Sequence, residues 1–229
     1  MEKRKLPAYK GKIEFIIGCF ISFWVQPLIR GIGHLGSALK AAADVGDLNV
    51  ASYCCDCLVS HKLVAGESLD RVYSESEKLL DFTSETKFDP ARQIIIRARR
   101  FILAMQGLTV KLSSFSGSEF KEDEYERFME RYGWVTVMCG YYTLKLQARV
   151  MSGDYQAAIA ARARAEPMLW SILGMTHEAE YHFYGALAWA CHYDEAPLDE
   201  RPQLLAKLQA HGLKSGRTLA LRTSKIAVP

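Results

Sequence analysis

The 229-residue sequence predicts an all-helical fold built from stacked helical hairpins. Two observations favour this class. Apolar residues recur at helical spacing, while alternating apolar and polar runs of strand length are nearly absent. Chain-breaking residues also fall at fairly even intervals. The predicted helix ends near Gly66, Gly107 and Gly153 are roughly 40–46 residues apart, which is the spacing of helical-hairpin repeats.

The amino-acid composition is that of a globular protein with a sizeable core, since 49% of the residues are hydrophobic and 24% are charged. A net charge of +3 is too small to favour nucleic acid as a partner. The six cysteines are unevenly spaced, which indicates reduced thiols in a cytoplasmic protein rather than a secreted disulfide framework.

The first apolar run covers residues 15–25 and follows a basic N-terminal segment. It is too short to span a bilayer, and Gln26-Pro27 stands where a signal peptide would need small residues for cleavage. This run therefore predicts a buried helix, and no membrane insertion is expected.

The next helices are predicted from apolar periodicity and from the breakers between them. Asp89-Pro90 is a favourable start, because proline needs no hydrogen bond at the first helical position and aspartate caps free N–H groups. The predicted helices cover residues 48–65, 69–85, 90–106 and 122–130, with a long loop at 109–120.

An apolar stripe with steps of four and three residues predicts a further helix, which ends at Ser152-Gly153. The stripe consists of Val137, Tyr141, Leu144, Ala148 and Met151. The helix after it is expected to bury its alanines and to direct Arg162 and Arg164 away from the core.

The last predicted helix lies at residues 178–191 and has small residues, Gly185 and Ala188, on a second side. A helix that is apolar on two sides is one that lies between neighbours, as the helices of stacked hairpins do. Its predicted inner face consists of Phe183, Ala186, Leu187 and Ala190.

A nucleotide-binding enzyme is the alternative from another functional class. Gly31, Gly33 and Gly36 form a G-x-G-x-x-G sequence, and a dinucleotide site would need a strand such as Ile21–Val25 before them. Asp56 lies at the distance expected of a ribose-binding acid, but it falls within a predicted helix. The helical scaffold is therefore the favoured interpretation.

A metal site could be suggested by Cys54, Cys55, Cys57 and His61, because Cys57 and His61 are four residues apart. Structural zinc requires four ligands, usually in two close pairs, and no second pair follows in the sequence. Buried cysteines that act as small apolar residues are therefore favoured. The sequence also contains no catalytic signature, so we expect no enzyme activity, no cofactor and no metal.

The predicted protein-interaction residues lie on two helices. Tyr142, Lys145 and Arg149 share the face opposite the apolar stripe, and repeat proteins bind partners through exposed helix faces. Tyr181 and Tyr184 on the last helix are added to this surface, although tyrosines in such positions are more often core residues.

Five stretches resemble the helical region of large bacterial hybrid signalling proteins. They are Val45–Tyr53, Lys145–Arg149, Gly153–Ala158, Ala165–Trp170 and Ala179–Leu187. Those proteins carry a serine/threonine-kinase-like domain, an AAA-type ATPase domain, a tetratricopeptide-like helical region, a GAF domain and a sensor histidine kinase of the two-component type. The resemblance extends over roughly residues 11–212, in order and without large gaps.

The resemblance implies a right-handed α-α superhelix of tetratricopeptide-like hairpins over residues 1–212, followed by a poorly ordered basic tail at 213–229. It implies a non-catalytic scaffold for protein interaction or signal relay between ATPase and sensor modules, in a chain that is a fragment of a larger kinase gene. The expected partners are kinase or ATPase modules. Uncapped repeat ends would also favour self-association.

Overall fold

The computed structural model describes residues 6–85 and 89–209. Over this part of the chain the regular elements are helices, and the only β-type pairing is an isolated bridge between Gly117 and Phe120. The predicted all-helical class is therefore confirmed. None of the described helices combines the length and apolarity needed to cross a membrane. The predicted tail at 213–229 lies outside the described residues.

Contacts divide the chain into two compact units. The first unit contains α1 (Leu6–Ile16), a π-helical turn (Ile17–Ile21), α2 (Ser22–Val25), α3 (Leu28–Asp44), α4 (Leu48–Val64), α5 (Leu69–Glu85) and α6 (Asp89–Met105) up to Ile102, together with Gly174–Thr176. The second contains α7 (Glu122–Tyr132), α8 (Val135–Met151), α9 (Tyr155–Ala165), a 3-10 helix (Glu166–Ile172), α10 (Thr176–Glu195) and α11 (201–209). In a stack of repeats each repeat contacts only its neighbours, so a single repeat domain can also divide into two such units. The predicted domain at 1–212 therefore stays a prediction.

Several predicted boundaries agree with the structure. α5 begins at the predicted Leu69, and α7 begins at the predicted Glu122 and extends two residues beyond the predicted end at 130. The loop at 109–120 is also present, and its Phe115 is fully buried against Tyr141, with 5.7 Å between the ring centroids. This loop is therefore packed into the second unit.

Within the described residues, five helices end in the same hydrogen-bonded glycine turn. The backbone N–H of Gly46 donates to the carbonyl of Ala43 (3.1 Å), and that of Asp47 donates to the carbonyl of Ala42 (2.9 Å). Both hydrogen bonds run back from residues after the helix to carbonyl groups of its last turn. This pattern requires a left-handed backbone conformation after the helix, and glycine adopts that conformation without steric cost. The glycines are Gly46, Gly66, Gly107, Gly133 and Gly153, with φ between 64° and 76°.

Two of these turns also start the next helix. Asp47 follows Gly46, and its carboxylate accepts a hydrogen bond from the N–H of Val50 at 3.3 Å. Asp154 follows Gly153, and its carboxylate accepts from the N–H of Ala157 at the same distance. A Gly-Asp pair thus ends one helix and caps the next, which folds α3–α4 and α8–α9 into tight hairpins.

The core of the first unit is formed by α4, α5 and α6. A second apolar cluster joins the π-helical turn and α3 to α4 through Cys19, Leu35 and Leu58. α4 is therefore covered on two sides, and for this reason its apolar residues do not follow one stripe. The buried residues of the main cluster are Cys55, Val59, Val72, Ile95, Ala98 and Ile102.

The predicted burial of residues 15–25 is only partly correct. The segment is helical, and Gly18 and Cys19 are buried where it packs against α3 and α4. Ile21 and Val25 are exposed instead. The apolar run covers more of the helix surface than its neighbours in this unit bury.

The nucleotide-binding alternative is contradicted by the fold. Gly31, Gly33 and Gly36 all lie inside α3, and Ile21–Val25 is helical. Asp56 lies within α4. The strand, turn and helix of a dinucleotide site are therefore replaced by two consecutive helical segments. Close packing explains the glycine at position 31, because a Cβ there would lie 3.1 Å from the carbonyl oxygen of Gly18.

Alanine substitutions distinguish these glycines. Gly36 is exposed in the middle of α3, and a Cβ at this position meets no atom within 4 Å. We expect Gly36→Ala to raise the free energy of unfolding by about 0.5–1 kcal/mol, because alanine loses less backbone entropy in a helix. Urea denaturation measures this. Gly31→Ala is the matched control and is expected to lower stability, and a destabilising Gly36→Ala would contradict the helical role of Gly36.

Candidate functional site

The most extensive polar cluster described in the second unit connects α7 to α8. Lys145 on α8 is buried, and its Nζ lies 2.8 Å from Oε1 of Glu126 and 3.1 Å from Oε1 of Glu122, both on α7. One turn of α7 separates the two carboxylates, so both can meet the same ammonium group. The result is a buried three-residue ion cluster between the two helices.

Two tyrosine hydroxyls extend this cluster to α9. The hydroxyl of Tyr141 donates to Oε1 of Glu126 at 3.1 Å, and that of Tyr142 donates to Oε2 of the same residue at 3.0 Å. Nη2 of Arg164 on α9 then donates to the Tyr142 hydroxyl at 2.9 Å and to Oε1 of Glu130 at 2.8 Å. Three consecutive helices are therefore joined through side chains that satisfy one another.

The electrostatics of this cluster favour an ionised Glu126 and protonated tyrosine hydroxyls. Burial alone would raise the pKa of Glu126, but the hydrogen bond and charge of Lys145 and the two tyrosine hydroxyls outweigh it, so the pKa lies below its ordinary value. Burial, followed by the nearby carboxylates, raises the pKa of Tyr141, and burial is also the main reason that the pKa of Tyr142 is raised to about 12. At neutral pH the carboxylate is ionised and the hydroxyls are protonated, which suits a structural network better than proton transfer.

The structure corrects the predicted exposed face of α8. Tyr142 and Lys145 are only 3% and 6% exposed, because α7 packs on this side of α8 and Arg164 of α9 contacts Tyr142. Arg149 is half-buried, and its Nη1 donates to the carbonyl of Ala157 at 2.9 Å. Met151, which was predicted to lie in the buried stripe, is exposed.

A second buried charge lies between α9 and α10. Arg162 was predicted to point away from the core, but it is buried, with its guanidinium carbon 3.9 Å from the centre of the Trp189 ring. Its two terminal nitrogens lie 3.2 and 3.3 Å from the carboxylate of Glu166. Gly185 leaves the space for this side chain, since a Cβ there would lie 3.0 Å from Nε of Arg162.

The inner face of α10 also differs from the prediction. The predicted face is at most half-buried, and Ala190 is exposed. The buried residues of the helix include Tyr181, Gly185 and Trp189, whose side packs around Arg162. Tyr184 is half-buried, and its hydroxyl accepts a hydrogen bond from Gln147 on α8 at 3.0 Å.

The cysteine-rich segment of α4 is buried, as predicted. Cys54, Cys55 and Cys57 lie in the interior, and burial is the main cause that raises the pKa of Cys54 and Cys55 to about 12. His61 is buried beside Phe23, and burial lowers its pKa to about 4. Among the described residues, no three His, Cys, Asp or Glu side chains are grouped as metal ligands.

Sequence reasoning did not identify a cluster of aromatic rings at the surface between α7 and α8. Phe128, Tyr132 and Trp134 contact one another with ring centroids 4.9–5.5 Å apart, and Tyr132 is 54% exposed. We call these three residues the aromatic cluster. The spacing of four residues followed by a helix-ending glycine could have indicated it, since Gly133 folds Trp134 back towards α7.

A comparison with known proteins finds a similarity over part of the chain. The chain is 26% identical over 101 residues to hybrid signal transduction histidine kinase G of Dictyostelium discoideum. The match covers 44% of this chain and 3% of that protein, so the chain spans a small part of its relative. No family model and no solved structure matches the chain.

The buried ion cluster gives a stability prediction. Replacing Lys145 with Met leaves two carboxylates in a partly buried site without their cation. We expect Lys145→Met to lower the free energy of unfolding by about 3–5 kcal/mol, measured by urea denaturation. Lys121→Met removes an exposed ion pair with Glu124 and should change it by less than about 0.5 kcal/mol. Equal effects of the two substitutions would refute the assignment.

The contact between Arg162 and Gly185 gives a second stability prediction. Gly185→Leu would displace the Arg162 side chain from its position over Trp189, and we expect a loss of about 1–3 kcal/mol in the free energy of unfolding. Ala190→Leu, on the exposed side of the same helix, should have little effect. Thermal denaturation of both variants compares them, and an unchanged melting temperature for Gly185→Leu would show that the space is not needed.

Proposed function

We propose that this chain is a non-catalytic helical-repeat scaffold that holds protein partners within a signal-transduction kinase. Its similarity to a hybrid signal transduction histidine kinase carries this proposal, together with the helical character of the described residues. The matched stretch is a small part of that kinase, and we assign the catalytic steps to its other domains as part of this proposal. The scaffold functions in the cytoplasm, where kinase or ATPase modules are its partners.

The repeated local structure supports a tetratricopeptide-like superhelix. α3, α4, α5, α6 and α8 each contain 17 residues, which is about 25 Å of helix. The two Gly-Asp turns begin their next helices with the same cap. Equal helix lengths and repeated turns are what stacking of similar hairpins requires, because each hairpin buries its apolar face against the next.

The distribution of charges supports a structural role for the interior. Lys145 is paired with Glu122 and Glu126, and Arg162 with Glu166. The contacts of Lys145 hold α7 to α8, and those of Arg162 fix its guanidinium group over Trp189 between α9 and α10. A partner is therefore more readily bound at the surface, where the aromatic cluster offers the ring types that are enriched at protein interfaces.

Binding to a histidine-kinase module tests this proposal. The probe is a purified histidine-kinase module with its dimerisation and ATP-binding domains, titrated into the chain by isothermal calorimetry. We expect saturable binding, and Tyr132→Ala should weaken it by fivefold or more, as truncation of an interfacial aromatic residue does. Trp170→Ala is the matched control, because Trp170 is 68% exposed but lies outside the aromatic cluster.

The result is interpreted by the pattern across variants. Arg149→Ala and Tyr184→Ala test the partly exposed residues of the surface predicted from sequence. No binding by the unsubstituted chain would count against the scaffold proposal, and equal losses for Tyr132→Ala and Trp170→Ala would exclude the aromatic cluster as the contact. Saturable binding of a fluorescent ATP analogue by the chain alone would contradict a role without nucleotide.

A further inference from the structure

Two buried thiols in the first unit meet across separate helical segments. Cys19 lies in the π-helical turn and Cys57 lies in α4, 38 positions further along the chain, and their sulfur atoms are 2.9 Å apart. The side chains are only 1% and 7% exposed. A disulfide bond has a sulfur–sulfur distance of about 2.05 Å, so the two atoms need to approach by less than an ångström.

The surroundings of Cys57 favour its protonated thiol. The hydrogen bond with Cys19, followed by burial and the nearby Asp56 and Cys54, raises the pKa of Cys57 well above its ordinary value. His61 lies one turn further along α4 and is buried, with a pKa lowered to about 4 by burial, so its imidazole is neutral at pH 7. A thiol in such a site reacts slowly, and bulky reagents have little access to it.

We propose that Cys19 and Cys57 are an intramolecular disulfide site, which forms when a peroxide oxidises the pair and which links the π-helical turn to α4. A small oxidant is required, because the two side chains are only 1% and 7% exposed. The pair belongs to the first unit, whereas the aromatic cluster belongs to the second.

The oxidation proceeds in two balanced steps. The sulfur of Cys57 attacks one oxygen of hydrogen peroxide while its proton passes to the departing oxygen; the O–O bond breaks, and one water is released, leaving a sulfenic acid. The sulfur of Cys19 then attacks the sulfur of Cys57, the S–O bond breaks, and the hydroxide leaves as a second water with the proton of Cys19. Two thiols and one peroxide give one disulfide and two waters.

The link restricts the unfolded chain, since it closes a loop between positions that are 38 residues apart. It also ties the turn that follows α1 to the central helix of the unit, which prevents local opening of α1 together with the turn. We expect oxidation to raise the melting temperature by roughly 5–10 °C. Reduction with dithiothreitol should reverse the shift.

Peptide mapping of the full chain tests the proposal directly. Reduced protein is treated with a small excess of hydrogen peroxide and then denatured in the presence of an alkylating reagent, which blocks the remaining thiols. It is digested without reductant. We expect a cross-linked pair of peptides that contain Cys19 and Cys57, and a decrease from six to four titratable thiols. This measurement needs no substitution, so it stands even where a variant fails to fold.

Variants provide the control. Cys19→Ala and Cys57→Ala should keep all five remaining thiols under the same treatment, whereas Cys139→Ala should still lose two, because Cys139 is buried in the second unit near the carbonyl of Ala165. The proposal is overturned if peroxide leaves six thiols in the unsubstituted chain. It is also overturned if the cross-link joins another pair, or if the oxidation ends in sulfinic acid on one cysteine.

Discussion

The left-handed glycine at the end of a helix is the constraint on which the rest of this structure depends. At Gly46, Gly66 and Gly153 the chain reverses within a few residues, so that the next helix returns beside the previous one. A residue with a Cβ is strained at this backbone conformation. The hairpins, and therefore the surfaces that pack against each other, follow from a small number of backbone positions rather than from any one apolar contact.

Local signals explain why much of the fold could be predicted from sequence. The starts of α5 and α7 depend on apolar periodicity and on the chain-breaking residues before them, which are properties of neighbouring residues. The ends of α4 and α8 likewise follow from Gly66 and Gly153. The glycine triplet in α3 was a misleading signal only in isolation, since the helix around it excludes the loop that the motif would need.

The candidate site could not be predicted in the same way, because burial depends on helices distant in sequence. Lys145 and Tyr142 lie on the side of α8 that was predicted to be exposed, and the approach of α7, with Arg164 of α9 at Tyr142, turns that side into interior. Arg162 is charged, yet Trp189 and Glu166 make its burial favourable through stacking and hydrogen bonds. When a helix is enclosed on several sides, its periodic pattern does not show which neighbouring helix covers which side.

The π-helical turn has a geometric consequence for the N-terminal helices. It contains one residue more than an α-helical turn, so everything after it is rotated by about 100° relative to an uninterrupted helix. Ile16 and Ile21 are five positions apart and would lie on different sides of a regular helix, yet both are exposed. Val25, four positions after Ile21, is exposed as well. The extra residue resets the phase of the helix, which keeps its outer apolar ridge continuous while Gly18 and Cys19 remain inside.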